Sequence, residues 1–325
     1  MEAFTESGII CLIFLIISLK LYDQIFSNTI YQINVCIIKI VYKMKYFKTL
    51  IYKILKFFGY SLLKIEKEDQ KLFFEYFPKN VVHNIKNKDT FYKVFAELDE
   101  DDLKIIDIVF KNNLTMVSFE RVIDTILAVK YVVERGLDGD FVECGPYRGG
   151  NSIAAKLKLE NSNSNKQLFL YDTFTGMSVP NPNIDKSLLQ NLNSLDIHTE
   201  NQEEDFNKWC YSSIEEVKNN FDKFGNGYEN VKFIKGMVEE TLINEDNLPD
   251  SIAVLRLDTD WYESTLLELE VLYPRLVKGG VLLIDDYGYW EGSRTAVEEY
   301  FSRPDTSDKP YLARSDFDGR IGIKI

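Results

Sequence analysis

The sequence has 2 histidines and 4 cysteines in 325 residues, and Cys11, Cys36, Cys144 and Cys210 are scattered with no C-x-x-C pair. That spacing excludes a zinc site and a disulfide framework, and it suits a reducing cytoplasm. With 17 glycines and 8 prolines the chain is not of low complexity. It has no excess of positive charge: the formal net charge of −13 argues against a nucleic-acid partner, which would need a basic face for phosphate contacts. The apolar run Gly8–Leu19 stops at twelve residues. Spanning a bilayer takes roughly 20, so this run is too short unless Lys20 snorkels and Leu21–Tyr22 extend it. A cleaved signal peptide is not expected either, because Glu2 and Glu6 stand where positive charge belongs and no small-residue cleavage site follows.

The first 66 residues differ in kind from the rest. From Thr29 to Lys64 no acidic residue occurs, while Lys39, Lys43, Lys45, Lys48, Lys53, Lys56 and Lys64 alternate with Ile, Leu, Phe and Tyr. This is the pattern of a basic amphipathic helix, which either lies on an anionic membrane surface or packs on a protein partner with its lysines solvated. Residues 1–66 carry a net +4 and leave −17 for residues 67–325. Peripheral membrane contact through 1–66, at the inner face of the membrane, is therefore one expectation. Met44 opens a second plausible start, so residues 1–43 are read as an upstream extension outside the working protein.

Residues 67–136 read as a helical prelude. Asp99–Asp102 places acidic groups at the positive end of a helix expected over Leu103–Phe110. A second helix follows Ser118, with Arg121, Ile123, Ile126, Leu127, Val129, Val132 and Val133 along it and Gly136 closing it. From 137 to 325 strands and helices alternate. The expected strands are Asp140–Cys144, Gln167–Asp172, Val231–Lys235, Ser251–Leu257 and Val281–Ile284, with helices after Gly150 and over Ser212–Phe224, Tyr262–Leu276 and Ser293–Ser302. Tyr311–Ile325 reads as a hairpin turning at Asp318–Gly319. The order predicts an α/β fold with a doubly wound, mostly parallel seven-stranded sheet. Ser178–Phe206, rich in Pro, Asn, Ser and Asp, is too long for an ordinary connector and is expected to be a lid or binding loop.

Chemistry collects at strand ends, where ligands of such sheets bind. The first strand runs into Glu143–Cys144–Gly145–Pro146–Tyr147–Arg148–Gly149–Gly150, which matches neither G-x-G-x-x-G nor G-x-x-x-x-G-K-[ST]. This argues against a dinucleotide pyrophosphate or a nucleoside triphosphate. An acid just before the first glycine suits a positive or donor group at the strand tip, as in the amino-acid part and sulfonium of S-adenosylmethionine. The second strand ends in Asp172, placed to bond ribose hydroxyls or to cap the next turn. Two later strands end in Asp258–Thr259–Asp260 and Asp285–Asp286. Four carboxylates in one crevice would repel, so they either hold a hard cation such as Mg²⁺, Mn²⁺ or Ca²⁺, or pair with Arg256 and Arg294. Trp261, Tyr262, Tyr287, Tyr289 and Trp290 surround these acids and could stack on a sugar face or simply pack beneath the loop. His198, in the long loop, is expected to be solvated.

The segments VECGPYRGGNS, LFLYDTFTGM, VKFIKGMVEETL and LRLDTDWYESTLLELEVLYPRLVKGGVLLIDDYGYWEGSRTAVEEYF together resemble the macrocin O-methyltransferase (TylF) family, from about Val117 to the C-terminus, with residues 1–66 outside the likeness. The resemblance implies a class I, Rossmann-like methyltransferase that uses S-adenosylmethionine and Mg²⁺ to methylate a sugar hydroxyl, the acceptor being a glycan or glycosylated metabolite. It implies cofactor contacts from Glu143, Gly145, Tyr147, Asp172, Thr173, Gly236 and Met237. Metal ligation falls on Asp258, Asp285 and Asp286, and Asp260 is left to orient or deprotonate the acceptor, so Asp258 and Asp260 form the catalytic pair. Pro146 departs from the family's small apolar residue and removes a backbone donor from the turn. The competing reading is a glycosyltransferase with Asp258–Thr259–Asp260 as a D-x-D metal site for a nucleotide sugar; it leaves Glu143, Gly145 and the second acid pair unexplained. A homo-oligomer is compatible with all of this.

Overall fold

Alternation along the strands sorts the core into two layers. In a computed structural model that describes residues 95–188, 192–304, 306 and 309–325, Phe141, Leu168, Leu170, Val254, Val281 and Leu283 point into one apolar cluster. Their neighbours Val142, Phe169, Tyr171, Leu255, Leu282 and Ile284 point into the other. Strands apolar on both sides need helices on both faces, which is the condition for a parallel sheet. The five parallel strands are β1 (Asp140–Cys144), β2 (Leu168–Asp172), β3 (Val231–Lys235), β4 (Ile252–Leu257) and β5 (Leu276–Ile284). Two short strands, β6 (Ala313–Arg314) and β7 (Arg320–Ile323), add the antiparallel hairpin. The order is β3-β2-β1-β4-β5-β7-β6, so the expected doubly wound seven-stranded sheet is what is found. The expected leader over 1–66, and the part of the prelude before residue 95, lie outside the described residues.

Helices α1 (Glu100–Lys111), α2 (Phe119–Glu134), α3 (Gly150–Asn161) and α5 (Ile214–Phe224) supply residues to the first layer. Helices α6 (Val238–Thr241), α7 (Tyr262–Leu272) and α8 (Glu291–Ser302) supply the second. The short α4 (Ser194–Glu200) forms inside the long loop. Helix α1 starts three residues before the expected Leu103 because Asp99 and Asp102 close a reciprocal capping box, each side chain accepting from the other's backbone N–H at 2.8 and 3.1 Å. Asp102 is also fully buried and receives Lys158 Nζ from α3 at 2.6 Å, which ties the prelude to the sheet domain.

The α7 to β5 segment differs from expectation. The helix stops at Leu272, a turn of 3₁₀-helix holds Pro274, and β5 begins at Leu276 instead of Val281. Proline fixes its own φ and lacks an N–H, which ends the α-helix a turn early and lets the chain enter the sheet sooner. Among the described residues no helix is long and apolar enough to cross a membrane.

Candidate active site

The strand order reverses between β1 and β4, and a crevice opens there at the carboxyl ends of the strands. A cavity of about 570 Å³ fills it. Its wall includes Glu143, Gly145, Tyr147, Asp172, Thr173, Gly236 and Met237 together with Asp258, Asp260, Asp285 and Asp286. The fold thus gathers around one space the residues singled out for cofactor contact and the four strand-end aspartates.

The turn after β1 is locked onto the turn after β4. Gly145 donates its N–H to Tyr171 O at 2.9 Å, and Asp258 donates to Cys144 O at 3.0 Å. Gly145 has φ +81°, and a Cβ there would sit 1.9 Å from the Asp258 carbonyl oxygen. Both the left-handed backbone and the close approach demand glycine. Gly145→Ala is therefore expected to displace Asp258 and to lower stability by about 3 kcal/mol. A thermal melt together with a cofactor titration checks this, and wild-type values for both would show that the turn tolerates a side chain.

Asp172 behaves as a turn organiser at the cavity wall. Its Oδ1 accepts from Phe174 N at 2.6 Å, and its carbonyl accepts from Gly236 N at 3.0 Å, linking the ends of β2 and β3. Burial pushes its pKa up to about 6 against the opposing hydrogen bonds from the Phe174 and Tyr147 amides. Glu143 is almost fully buried, and both its oxygens are engaged: one accepts from Ser152 Oγ, the other from Arg256 Nη1 at 2.7 Å. Its first partners are therefore protein groups.

The four strand-end aspartates divide. Asp285 is held between two guanidiniums, Arg256 on one carboxylate oxygen and Arg121 on the other. Arg256 also reaches Asp258 Oδ2 at 2.6 Å, and Arg121 reaches Asp316 and Asp318 at 2.9 Å each. Asp258, Asp260 and Asp286 instead each offer an oxygen to a common point, those atoms lying within 4.8 Å of one another. Asp286 Oδ2 is buried with no hydrogen-bond partner. Burial raises Asp258 and Asp286 well above the usual carboxylate range. For Asp258 the nearby Arg256 opposes the shift while Asp285 and Asp286 reinforce it. For Asp286 the carboxylates of Asp260 and Asp285 add to the burial. Asp260 is pushed up to about 7, by burial first, with its hydrogen bond to Asp286 opposing and Asp258 and Asp285 adding to the rise. Asp260 also has φ +69°, uncommon for a residue with a side chain. Three crowded oxygen donors, one of them unpartnered, fit a hard divalent cation. Of the expected metal ligands, Asp258 and Asp286 stand in this set. Asp285 is committed to arginines, and Asp260 takes the third place.

The pairing with Arg256 considered from the sequence is present. Arg294 takes no part, its Nε donating to Tyr287 O at 3.0 Å. Among the aromatics, Tyr289 and Trp290 line the cavity and Trp209, just after the long loop, joins them. Trp261 is buried, its ring 5.6 Å from Trp209 and 5.0 Å from Trp290, and its indole N–H donates to Ser178 O at 3.1 Å. Tyr262 and Tyr287 give their hydroxyls to Glu299 and Glu298. Ser178 at the start of the long loop, with Met177 before it and Cys210 after it, reaches the cavity wall. His198 is buried, with Nε2 3.2 Å from Met177 O, so it fastens that loop instead of facing solvent.

Sequence reading missed Arg121, Trp209, Asp316 and Asp318. Arg121 lies in the apolar stripe of α2, where strand-end logic does not look. One signal was available for the Glu143–Arg256 pair: both side chains fall on the same face by strand alternation, and they are register partners across β1 and β4.

A doubly wound sheet with a glycine turn after β1, an acid after β2 and a carboxylate cluster beyond β4 and β5 defines a methyltransferase of the class I, Rossmann-like type. Within that class the chain belongs to the macrocin-O-methyltransferase (TylF) family, whose profile matches residues 48–310, and it is an O-methyltransferase. The match begins earlier than the likeness read from the motifs and takes in part of the basic leader. Among relatives, an 8-demethyl-8-(2,3-dimethoxy-alpha-L-rhamnosyl)-tetracenomycin-C 4'-O-methyltransferase of Streptomyces olivaceus is 34% identical over 195 residues, 60% of this chain and 70% of that protein. A demethyldecarbamoylnovobiocin O-methyltransferase of Streptomyces niveus is 31% identical over 209 residues, 64% of this chain and 74% of that protein. The solved structure of the O-methyltransferase NovP superposes with a TM-score of 0.55 at 29% identity, covering 65% of this chain and 82% of that one. Family membership sets aside the glycosyltransferase reading.

Proposed function

We propose that the chain transfers a methyl group from S-adenosylmethionine to a hydroxyl of a sugar carried by a glycosylated metabolite or glycan, with a divalent cation such as Mg²⁺ beside the acceptor. The observation that carries this reading is a single cavity with the Gly145 turn, Asp172 and Met237 on its wall together with the Asp258–Asp260–Asp286 cluster. A relative named for methylation of a rhamnosyl-bearing metabolite supports the acceptor class.

When bound, the sulfonium donor supplies an electrophilic methyl group, whose bond to sulfur breaks as the acceptor oxygen forms a new one and leaves a neutral thioether. A cation held by Asp258, Asp260 and Asp286 would bind sugar oxygens and lower the pKa of the hydroxyl attacked. The chain's own groups do the rest. Gly145 would let the first turn approach the donor's strand-tip group, and Asp172 would be the residue to meet its ribose hydroxyls. Asp260, on the cavity wall with Asp258 and Asp286, would help to orient the acceptor hydroxyl through the cation it holds. Trp209, Tyr289 and Trp290 offer apolar faces for the sugar and exclude water. Isothermal titration with S-adenosylmethionine, followed by methyl transfer to glycosylated acceptors with and without chelator, tests the reading. Cofactor binding with chelator-sensitive sugar methylation is expected, and transfer undiminished by chelator would remove the cation from it.

The lysine-rich leader motivates a second part of the proposal, peripheral contact with anionic membranes through residues 1–66. Full-length chain is expected to co-sediment with vesicles containing phosphatidylserine. Reversing Lys45, Lys48, Lys53 and Lys56 to Glu should release it, at about 1 kcal/mol per lysine lost near the surface. Sedimentation unchanged by the reversal would dispose of the membrane role.

A further inference from the structure

A second cavity, about 660 Å³, lies beside the hairpin and shares no lining residue with the one above. Arg294 from α8, Arg314 from β6 and Arg320 from β7 converge on it, with Tyr287 and Tyr311, and no carboxylate among the described residues lines it. In a chain of net charge −13 this is the reverse of the average surface.

The three guanidiniums are not neutralised from within. Arg320 is only 9% exposed, and its Nη1 donates to the carbonyls of Asp318 and Gly319 at 3.1 and 2.7 Å. Arg294 spends Nε on Tyr287 O. Both arginines stack on the Tyr287 ring, at 4.7 and 5.4 Å from its centroid. None of the three forms an ion pair among the described residues. Of the nearby acids, Glu298 is held by Lys309 and the Tyr287 hydroxyl and Asp316 by Arg121, while Asp318 meets Arg121 through Oδ2 and keeps Oδ1 buried without a hydrogen-bond partner. Burial, and then the charges of Arg314 and Arg294, lower the Arg320 pKa against the opposing influence of Tyr287 and Asp316, in keeping with three guanidiniums that line one groove. Repulsion between the buried Arg320 guanidinium and those of Arg294 and Arg314 is a standing cost that an anion would relieve.

We infer that this groove is an anion site for a phosphate or diphosphate group, with the three arginines as its forks. Guanidinium geometry matches phosphate oxygens two at a time, and three positive charges suit a diphosphate better than a lone carboxylate. The 87% exposed Tyr311 ring stands at the rim, where a group attached to the phosphate would lie. The inference does not depend on the methyl acceptor.

Titration calorimetry of the full chain with inorganic pyrophosphate, in chelator so that no cation bridges it to the acid cluster, tests this. Saturable 1:1 binding is expected, weakened about tenfold or more in Arg314→Gln, the loss of one charge-assisted hydrogen bond being about 1.5–3 kcal/mol. Arg314 is exposed on a two-residue edge strand, so that variant should fold, and Arg294→Gln is the second. A nucleoside diphosphate binding more tightly than pyrophosphate, with the excess lost in Tyr311→Ser, supports the site and assigns it to nucleotides; equal affinities support it as a site for the bare phosphate group. No saturable binding, or binding undiminished in both arginine variants, overturns it.

Discussion

Asp286→Asn is expected to reduce methyl transfer by about a thousandfold or more while the fold stays as stable as before or gains stability, and Asp285→Asn, one residue earlier, is expected to unfold the protein first. Asp286 has a buried oxygen with no partner and sits among carboxylates that raise its pKa. Neutralising it relieves repulsion and removes an oxygen donor from the only group of three acids, among the described residues, that could hold a cation. Asp285 instead balances Arg121 and Arg256, and its loss leaves two largely buried guanidiniums short of negative charge. Breaking such a pair from one side costs about 3–5 kcal/mol, or roughly 10 °C in Tm for a domain of this size. Thermal melts and turnover on the two variants, with cofactor titration as a control, separate the roles. An Asp285→Asn protein that melts like wild type yet has lost all activity would return Asp285 to the ligand set that the family resemblance implied.

The contrast also shows what the sequence could carry. Glycine turns and strand-end acids are local signals, and they sufficed for the sheet and for the contents of the cavity. Which of two adjacent aspartates on the cavity wall is taken up by arginines is not local. Ile284 packs in the layer of α7 and α8, so alternation turns Asp285 toward the opposite layer, where α2 brings Arg121 from 164 residues away. Parity along β1, β4 and β5 places Glu143, Arg256 and Asp285 on that same side, so this part of the network was legible in principle. Arg121 was not: on α2 it reads as one charge in an apolar stripe, and only the packing of that helix over the ends of β4 and β5 gives it three acidic partners. Trp209 was hidden for a similar reason. It comes from an irregular stretch whose path depends on contacts such as Met177 N to Trp209 O and Asn207 N to Thr175 O, which no periodicity announces. The apolar pattern runs on through Pro274 to Leu276, but the proline ends α7 at Leu272.

Arg256 joins Glu143, Asp258 and Asp285, and Arg256→Met is expected to be the most destabilising single change at this site, by about 3–5 kcal/mol at neutral pH. The loss should depend on pH in a defined direction. Burial already holds Glu143 above its usual range, and Arg256 is the strongest influence pulling it back. Without the arginine, Glu143 in the folded chain binds its proton still more tightly than in the unfolded chain, where the value is about 4.3. Between the unfolded and the raised folded pKa the native state carries the extra proton, so stability falls as pH rises through that window. Acid therefore spares the variant, and its Tm deficit relative to wild type should widen from pH 5 to pH 8 when both are melted in chelator. Arg256→Lys should recover part of the loss, because an ammonium restores the charge but cannot span three carboxylates as the guanidinium does. A deficit that stays constant across the pH range would mean that Arg256 stabilises the sheet by packing, with its charge incidental to the fold and to the placement of Asp258.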